Sequence, residues 1–300
     1  MKRITGIVLA LLLISNQCFA ISDWYQGSGT APIQGTDNVS DIDANSKNYA
    51  FDPLDKLLTH HIWGCTLTHT SDDVITVSVG EVTCSNGAGT IRRMRKNTAT
   101  TTVDFTAAGV GGIDSGSARD DSSWFDIYAV ADADATTFTA IAAKQGTALS
   151  DVTYYRYIGS VYNDASDNIS NFYWFGNGDT PLIMWDVPVS TATVVSAGAW
   201  SAATACRMPS TSTCGVFGLQ ARDSADIYAV QIRRNGSTWK DGSGTTVVYE
   251  DGVGGEDNAA TGGAGGQRIC MTDSSQQIQY YNDAGDSTVA IHLEGFYIKR

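Results

Sequence analysis

His60, His61, Cys65 and His69 lie close together in sequence and carry the nitrogen and sulfur donors that a tetrahedral zinc site uses. Their segment passes from a helix-like pattern into a strand-like one, so the four side chains need not converge. No second Cys/His cluster completes a recognised spacing, and the expectation is locally hydrogen-bonded histidines with no metal. The runs ADADAT from Ala131 and NDASDN from Asn163 offer oxygen donors for calcium. Neither has the twelve-residue loop with its closing Glu, and turn chemistry accounts for both. The basic run IRRMRK, residues 91–96, stands out in an acidic chain. Arginine forks suit phosphate or acidic sugar, whereas a solvated strand face paired with the chain's acids is the reading preferred.

The sequence has no G-x-S-x-G, no phosphate-binding loop and no H-E-x-x-H. With 32 acidic residues, any pair of carboxylates picked out for glycan hydrolysis would be arbitrary. No catalytic residue and no cofactor is therefore assigned. Aromatic residues give a better lead. Tyr154, Tyr155, Tyr157, Tyr162, Phe172, Tyr173, Trp174 and Phe175 crowd two adjacent strand-like runs, and on a strand half of them must face away from one side. Exposed Tyr173 and Trp174 would offer flat faces to sugar rings or a protein. The competing arrangement has both faces covered, by the rest of the chain or by sister chains.

The elements that would position these residues are strands. The chain is rich in Gly, Thr, Ser, Ala and Tyr and poor in Pro and charge, a mixture suited to short strands and tight turns. Residues 1–20 form a separate object: Lys2 and Arg3, an apolar stretch, then Cys18-Phe19-Ala20, the layout of a secretory signal. Its apolar stretch is shorter than the roughly 20 residues a bilayer span needs. Export without stable membrane insertion is expected once it is cut. Loss of Lys2 and Arg3 leaves 17 basic against 32 acidic residues, a net charge of −15. Such a surface repels nucleic acid.

Residues 21–60 read as a polar arm followed by a short helix. There Asp52 caps, Pro53 takes the first turn, and Leu54, Leu57, Leu58 and Ile62 share a face. From Ile62 the period becomes two. Residues 61–188 read as a β-meander, with WFDIYAVA and TFTAIAAK turning round on DADA. Prolines 181 and 188 mark an exit, and residues 189–300 read as a β-sandwich of jelly-roll type containing a Gly-rich loop, 251–266. The fold class is mainly β with one short N-terminal helix. In an exported chain, Cys65 with Cys84 across a hairpin and Cys206 with Cys214 around a small loop are the disulfide candidates, leaving Cys270 over.

Residues 24–187 resemble a module of bacteriophage tail fibres and tail-associated proteins. The likeness is carried by WYQGSG, DPLD, TLTHTSDDVITVSVGEV, GGIDSG, YYRYIGSVYNDASDNI, FYWFGNGD and WDVPV. The closing DSSQQIQYYNDAGDSTVAIHLEGFYI is similar to the β-sandwich tips of such fibres. The resemblance implies a β-rich, often trimeric appendage whose distal part adheres to a host glycan or surface protein. On that reading Trp239, Tyr249 and Gly254 of the C-terminal unit join Tyr173 and Trp174 as ligand-binding candidates. A virion part assembled in the cytoplasm needs no export signal, so a secreted adhesin or extracellular filament subunit is the alternative. A polysaccharide-degrading spike comes last.

Overall fold

Alternation of apolar and polar residues drives the chain into strands. The computed structural model describes residues 61–89, 92–195, 200–222, 228–237, 252–255, 263–282 and 288–300. The expected leader, arm and helix fall outside these residues. In chain order the strands are β1 (Ile62–Gly64), β2 (Leu67–Ser71), β3 (Val74–Val77), β4 (Gly80–Asn86), β5 (Arg92–Asn97), β6 (Thr101–Asp104), β7 (Ser123–Ala131), β8 (Thr139–Lys144) and β9 (Tyr154–Asn163). There follow β10 (Phe172–Phe175), β11 (Leu182–Val195), β12 (Thr204–Ala205), β13 (Cys214–Arg222), β14 (Tyr228–Arg234), β15 (Gly252–Gly255), β16 (Gly263–Met271), β17 (Gln277–Asn282) and β18 (Thr288–Tyr297). The fold is mainly β, and no helix occurs among the described residues.

Four antiparallel sheets result. The first runs β1-β4-β9-β7-β8, with β5 also on β4; a small one, β2-β3-β6, lies beside it. The third runs β10-β11-β18-β13-β16 and the fourth β12-β17-β14-β15. WFDIYAVA and TFTAIAAK do pair as a hairpin, Val130 opposite Thr139, and β9 then returns to the far side of β7. Phe105 meets Phe125 edge-on at 5.3 Å between ring centres, seating the segment after β6 on the first sheet.

The third sheet is the common wall. Its Trp185 and Phe296 meet Trp124 of β7 at 5.8 and 5.5 Å, and Tyr162 of β9 completes the aromatic cluster. Farther along, its buried Phe217, Leu219, Ile291 and Leu293 share one core with Val230, Ile232 and Ile278 of the fourth sheet. Strand β11 runs through both regions. Pro188, read from sequence as the mark of a domain boundary, lies inside it, where the pairing with β18 shifts between Met184 and Val189. A strand tolerates proline at such a bulge because no ladder hydrogen bond is required there.

The Asp-rich runs are turns with their own internal bonds. Ala135 N–H donates to the Asp132 carbonyl, while Arg95 donates to the carbonyls of Asp132 and Ala133 and Arg93 to that of Ala133. Two arginines of the basic run thus staple the Ala-Asp turn of their own chain. In the second run, Asp164 Oδ1 accepts from Ser166 N–H and Asn168 N–H, and Arg119 pairs with Asp167 at 2.9 Å.

Arg300 draws three distant segments together. Its buried guanidinium donates to the carbonyls of Gly64, Cys65, Asn177 and Gly178 at 2.7–3.1 Å, and it stands 5.3 Å from the Trp174 ring centre. Replacing Arg300 by Ala leaves four carbonyls without this donor, so a loss of about 3 kcal/mol is expected. In thermal unfolding of a unit this size, that is a fall in Tm of roughly 6–12 °C. A variant within 2 °C of the native chain would show the clamp to be dispensable.

Candidate functional site

Strand register assembles a surface from five strands that are far apart in sequence. On β10, Phe172 and Trp174 turn inward while Tyr173 and Phe175 turn outward, opposite Met184 and Leu182. Following the pairing across the third sheet gives one outward row, Tyr173–Met184–Gly295–Val216–Ile269, and beside it a second, Phe175–Leu182–Tyr297–Cys214–Met271. Every member is apolar, aromatic, sulfur-bearing or glycine. At a strand spacing of about 4.8 Å and a same-face repeat of about 6.7 Å, the rows cover roughly 300 Å². A contiguous apolar patch of that size is frequently functional.

Tyr173, Phe175, Ile269 and Met271 are each more than half exposed. Over the middle of the rows lies a depression of about 470 Å³ bordered by Met184, Val216, Tyr297, Gln267 and Arg268. Gly295 makes the flat centre possible: a Cβ there would stand 2.3 Å from the Ile183 carbonyl and 2.6 Å from Met184 Sδ. The rim is polar. Gln267 bonds to Glu294, and the Tyr173 hydroxyl donates to Asp186 Oδ1 at 2.8 Å. That bond to a carboxylate raises the tyrosine pKa above its ordinary value.

Of the residues named from sequence, Tyr173 is on this face. Trp174 is not. Its indole N–H donates to the Gly176 carbonyl at 2.8 Å, and its ring fills the space where a Cβ on Gly159 would come within 2.9 Å. It is a packing residue beneath Arg300. Gly254 lies in β15 opposite Ala229, and Trp239 and Tyr249 fall outside the described residues. Leu182, Met184, Val216, Ile269, Met271 and Tyr297 were missed. Their signal was that LIMW and ICM are apolar on both faces of a strand, as in a doubly covered sheet.

The other sequence candidates go elsewhere. His61 lies 3.6 Å from Glu81, Cys65 is buried, and His69 sits opposite Ile75. No disulfide joins the five cysteines among the described residues. Cys84 faces Arg93 across β4 and β5, while Cys65 N–H bonds to Val79, so the hairpin register holds the two apart. Cys206 turns into the core and Cys214 into the outward row, so the sheet separates them. Burial lifts the thiol pKa of Cys65 to about 11 and those of Cys84 and Cys206 to about 12.

One buried polar network resembles reactive chemistry. Asp126 Oδ1 accepts from Ser160 Oγ at 2.6 Å and from Gln145 Nε2 at 3.0 Å. The Tyr157 hydroxyl is bonded to Ser160 and Thr211, and Gln145 Oε1 accepts from Ser210 N–H. No histidine enters it, and its members tie β7 and β9 to the segment before β13. It is a joint between sheets.

Burial outweighs these donors and holds the Asp126 carboxyl above the ordinary 3.8. A raised folded pKa favours the protonated form on folding. The associated stability is complete below about pH 3.8 and is lost as pH rises through the higher folded value. Asp126→Asn retains an oxygen that accepts both bonds, so its Tm should gain on the native chain from pH 4 to pH 7. A difference constant across that range would contradict this origin. The buried thiols provide a second check: at pH 8 a thiol reagent should leave Cys65, Cys84 and Cys206 unmodified until the chain unfolds, and rapid modification of any of them in the native state would contradict the packing. Compared with known proteins, the sequence matches no family model and no curated protein.

Proposed function

We propose that this chain is an exported, non-enzymatic adhesin of tail-fibre type that attaches to a glycan or protein on a cell surface, working as a homo-oligomer with a trimer favoured. The observation that supports this best is the two-row outward face. Its aromatic edge at Tyr173 and Phe175, its dry centre and its polar rim reproduce the division of a recognition surface into an apolar core and a hydrated border. The resemblance to tail-fibre modules supports the adhesin, while the signal-like residues 1–20 support export and favour a secreted adhesin over a virion part.

A second reading has its own support. Leu182, Met184, Val216, Ile269 and Met271 offer no hydrogen-bonding groups at the centre of the face, which suits another copy of the chain in a virion appendage or filament. The face alone covers less than the roughly 800 Å² per partner of a standard interface, so such an assembly would need further surface.

The double variant Phe175→Asp, Ile269→Asp places two charges on exposed positions of the face. Binding of labelled chain to responsive bacterial cells should fall at least tenfold, with Tm changed by less than about 2 °C because the sites are exposed. Undiminished binding would remove the face from the adhesin reading. Light scattering over a concentration series separates the alternatives: loss of an oligomer on the same substitution favours the structural subunit.

A further inference from the structure

We propose that Trp63 is the stacking platform of a saccharide-binding site at the β1 edge of the first sheet, a site distinct from the apolar face of the third. It names a place for the glycan in the adhesin reading.

Trp63 is 56% exposed, between two inward-facing residues of β1, Ile62 and Gly64. A single exposed apolar side chain is ordinary; its surroundings are what distinguish it. It borders two hollows. One, of about 420 Å³, lies between β1 and the loop after β10 and is lined by His61, Trp63, Asn177, Gly178 and Asp179. The other, of about 170 Å³, is lined by Val79, Glu81, Lys96 and Thr98 on the side of β4 and β5. The larger falls in the size range of small-ligand pockets.

The groups around the indole are those a sugar needs. A pyranose ring presents polarised C–H groups that settle on the negative face of an aromatic ring, and its hydroxyls require donors and acceptors at the ring edge. Strand pairing sets Trp63, Glu81 and Lys96 side by side in one outward row. Lys96 Nζ lies 2.8 Å from Glu81 and His61 Nε2 3.6 Å from it. The Lys96 hydrogen bond keeps the Glu81 carboxyl below its ordinary range, so it remains an acceptor near neutral pH. Asn177 and Asp179 add an amide and a carboxylate on the opposite wall. Glu81 is paired with Lys96, and Asp179 interacts with Arg156 and Arg300. With its charges matched, on a chain of net charge −13, the site suits a neutral saccharide better than a polyanion.

The site is also built to stay in place. Gly64 and Cys65 have φ of +67° and +51°, turning the chain sharply after Trp63. Gly80 admits this turn: a Cβ there would stand 2.4 Å from the Trp63 carbonyl. Arg300 then donates to Gly64 and Cys65, which directly follow Trp63 of one wall of the larger hollow, and to Asn177 and Gly178 of the other. One buried side chain therefore fixes both walls, and a preformed site spares the ordering cost of binding.

The test is titration of the full chain with lactose, maltotriose, chitotriose, mannotriose and isolated bacterial O-polysaccharide, read by ligand-observed and indole N–H NMR. At least one should bind and shift the indole resonance that disappears in Trp63→Phe. Trp63→Ala should weaken that binding at least tenfold, Trp63→Phe should retain part of it, and Asn177→Ala should weaken it several-fold. Val110→Ser, at an exposed loop position in neither surface, should leave it unchanged. No binding by the native chain, native-like binding by Trp63→Ala, or loss only on substitution of the third-sheet face would each overturn the proposal. If cells are still bound in any of those cases, the adhesin reading survives without this site; if saccharide binds at Trp63 but cells are not bound, the site survives without that reading.

Discussion

A buried guanidinium decides how β1 is held against the loop after β10. Moving a cation out of water costs several kcal/mol, and arginine cannot shed its proton to escape that cost. Burial lowers the Arg300 pKa from its ordinary value. Compensation comes from carbonyl oxygens of two segments, Gly64–Cys65 and Asn177–Gly178, and from the ring of Trp174. Planarity matters here, because the donors of the fork diverge in fixed directions and reach both segments at once. Lysine has the charge without the fork. The arrangement makes the position of β1 depend on the last residue of the chain, across 236 positions of sequence.

The same economy operates in the third sheet. Strands β11 and β18 pair along most of their length, yet the register slips twice, between Met184 and Val189 and between Ser190 and Ala192. Each slip changes which residues face inward. Before the slips, Ile183 and Trp185 face the aromatic cluster around Trp124; after them, the sheet covers Ile232 and Ile278. The two groups belong to one continuous core. The bulges let a single wall serve two neighbours, which is why proline is tolerated at position 188.

Much of this was legible in the sequence. Period-two alternation marked WFDIYAVA and TFTAIAAK, and Asp164 is placed in its turn by the side-chain-to-backbone bonds expected of Asp. What could not be read was anything that depends on pairing between distant strands. Tyr173 and Ile269 share a row because three intervening strands align them; no local pattern carries that information. Trp174 shows the converse. Adjacent to an outward tyrosine, it had to point inward once the strand was placed, but which of the two faced out depended on the register with β11. Arg93 and Arg95 look like a ligand-seeking cluster until the Ala-Asp turn closes over their guanidinium groups.

The two exposed surfaces differ in chemistry, and the difference follows from their place in the sheets. The outward rows of the third sheet cross all five strands, and over β11, β18 and β13 the backbone groups are paired and side chains meet solvent; those side chains carry almost no donors or acceptors. A partner there gains by dehydration, since a hydroxyl-rich ligand would lose water without replacement bonds. Trp63 occupies a sheet edge beside a loop, where Glu81, Lys96, His61 and Asn177 converge on one aromatic ring. A hydroxyl-rich ligand finds exchange partners there for the water it gives up. An apolar partner would instead strand an ion pair. The chain thus presents a dry surface and a wet one, each selecting against what the other accepts.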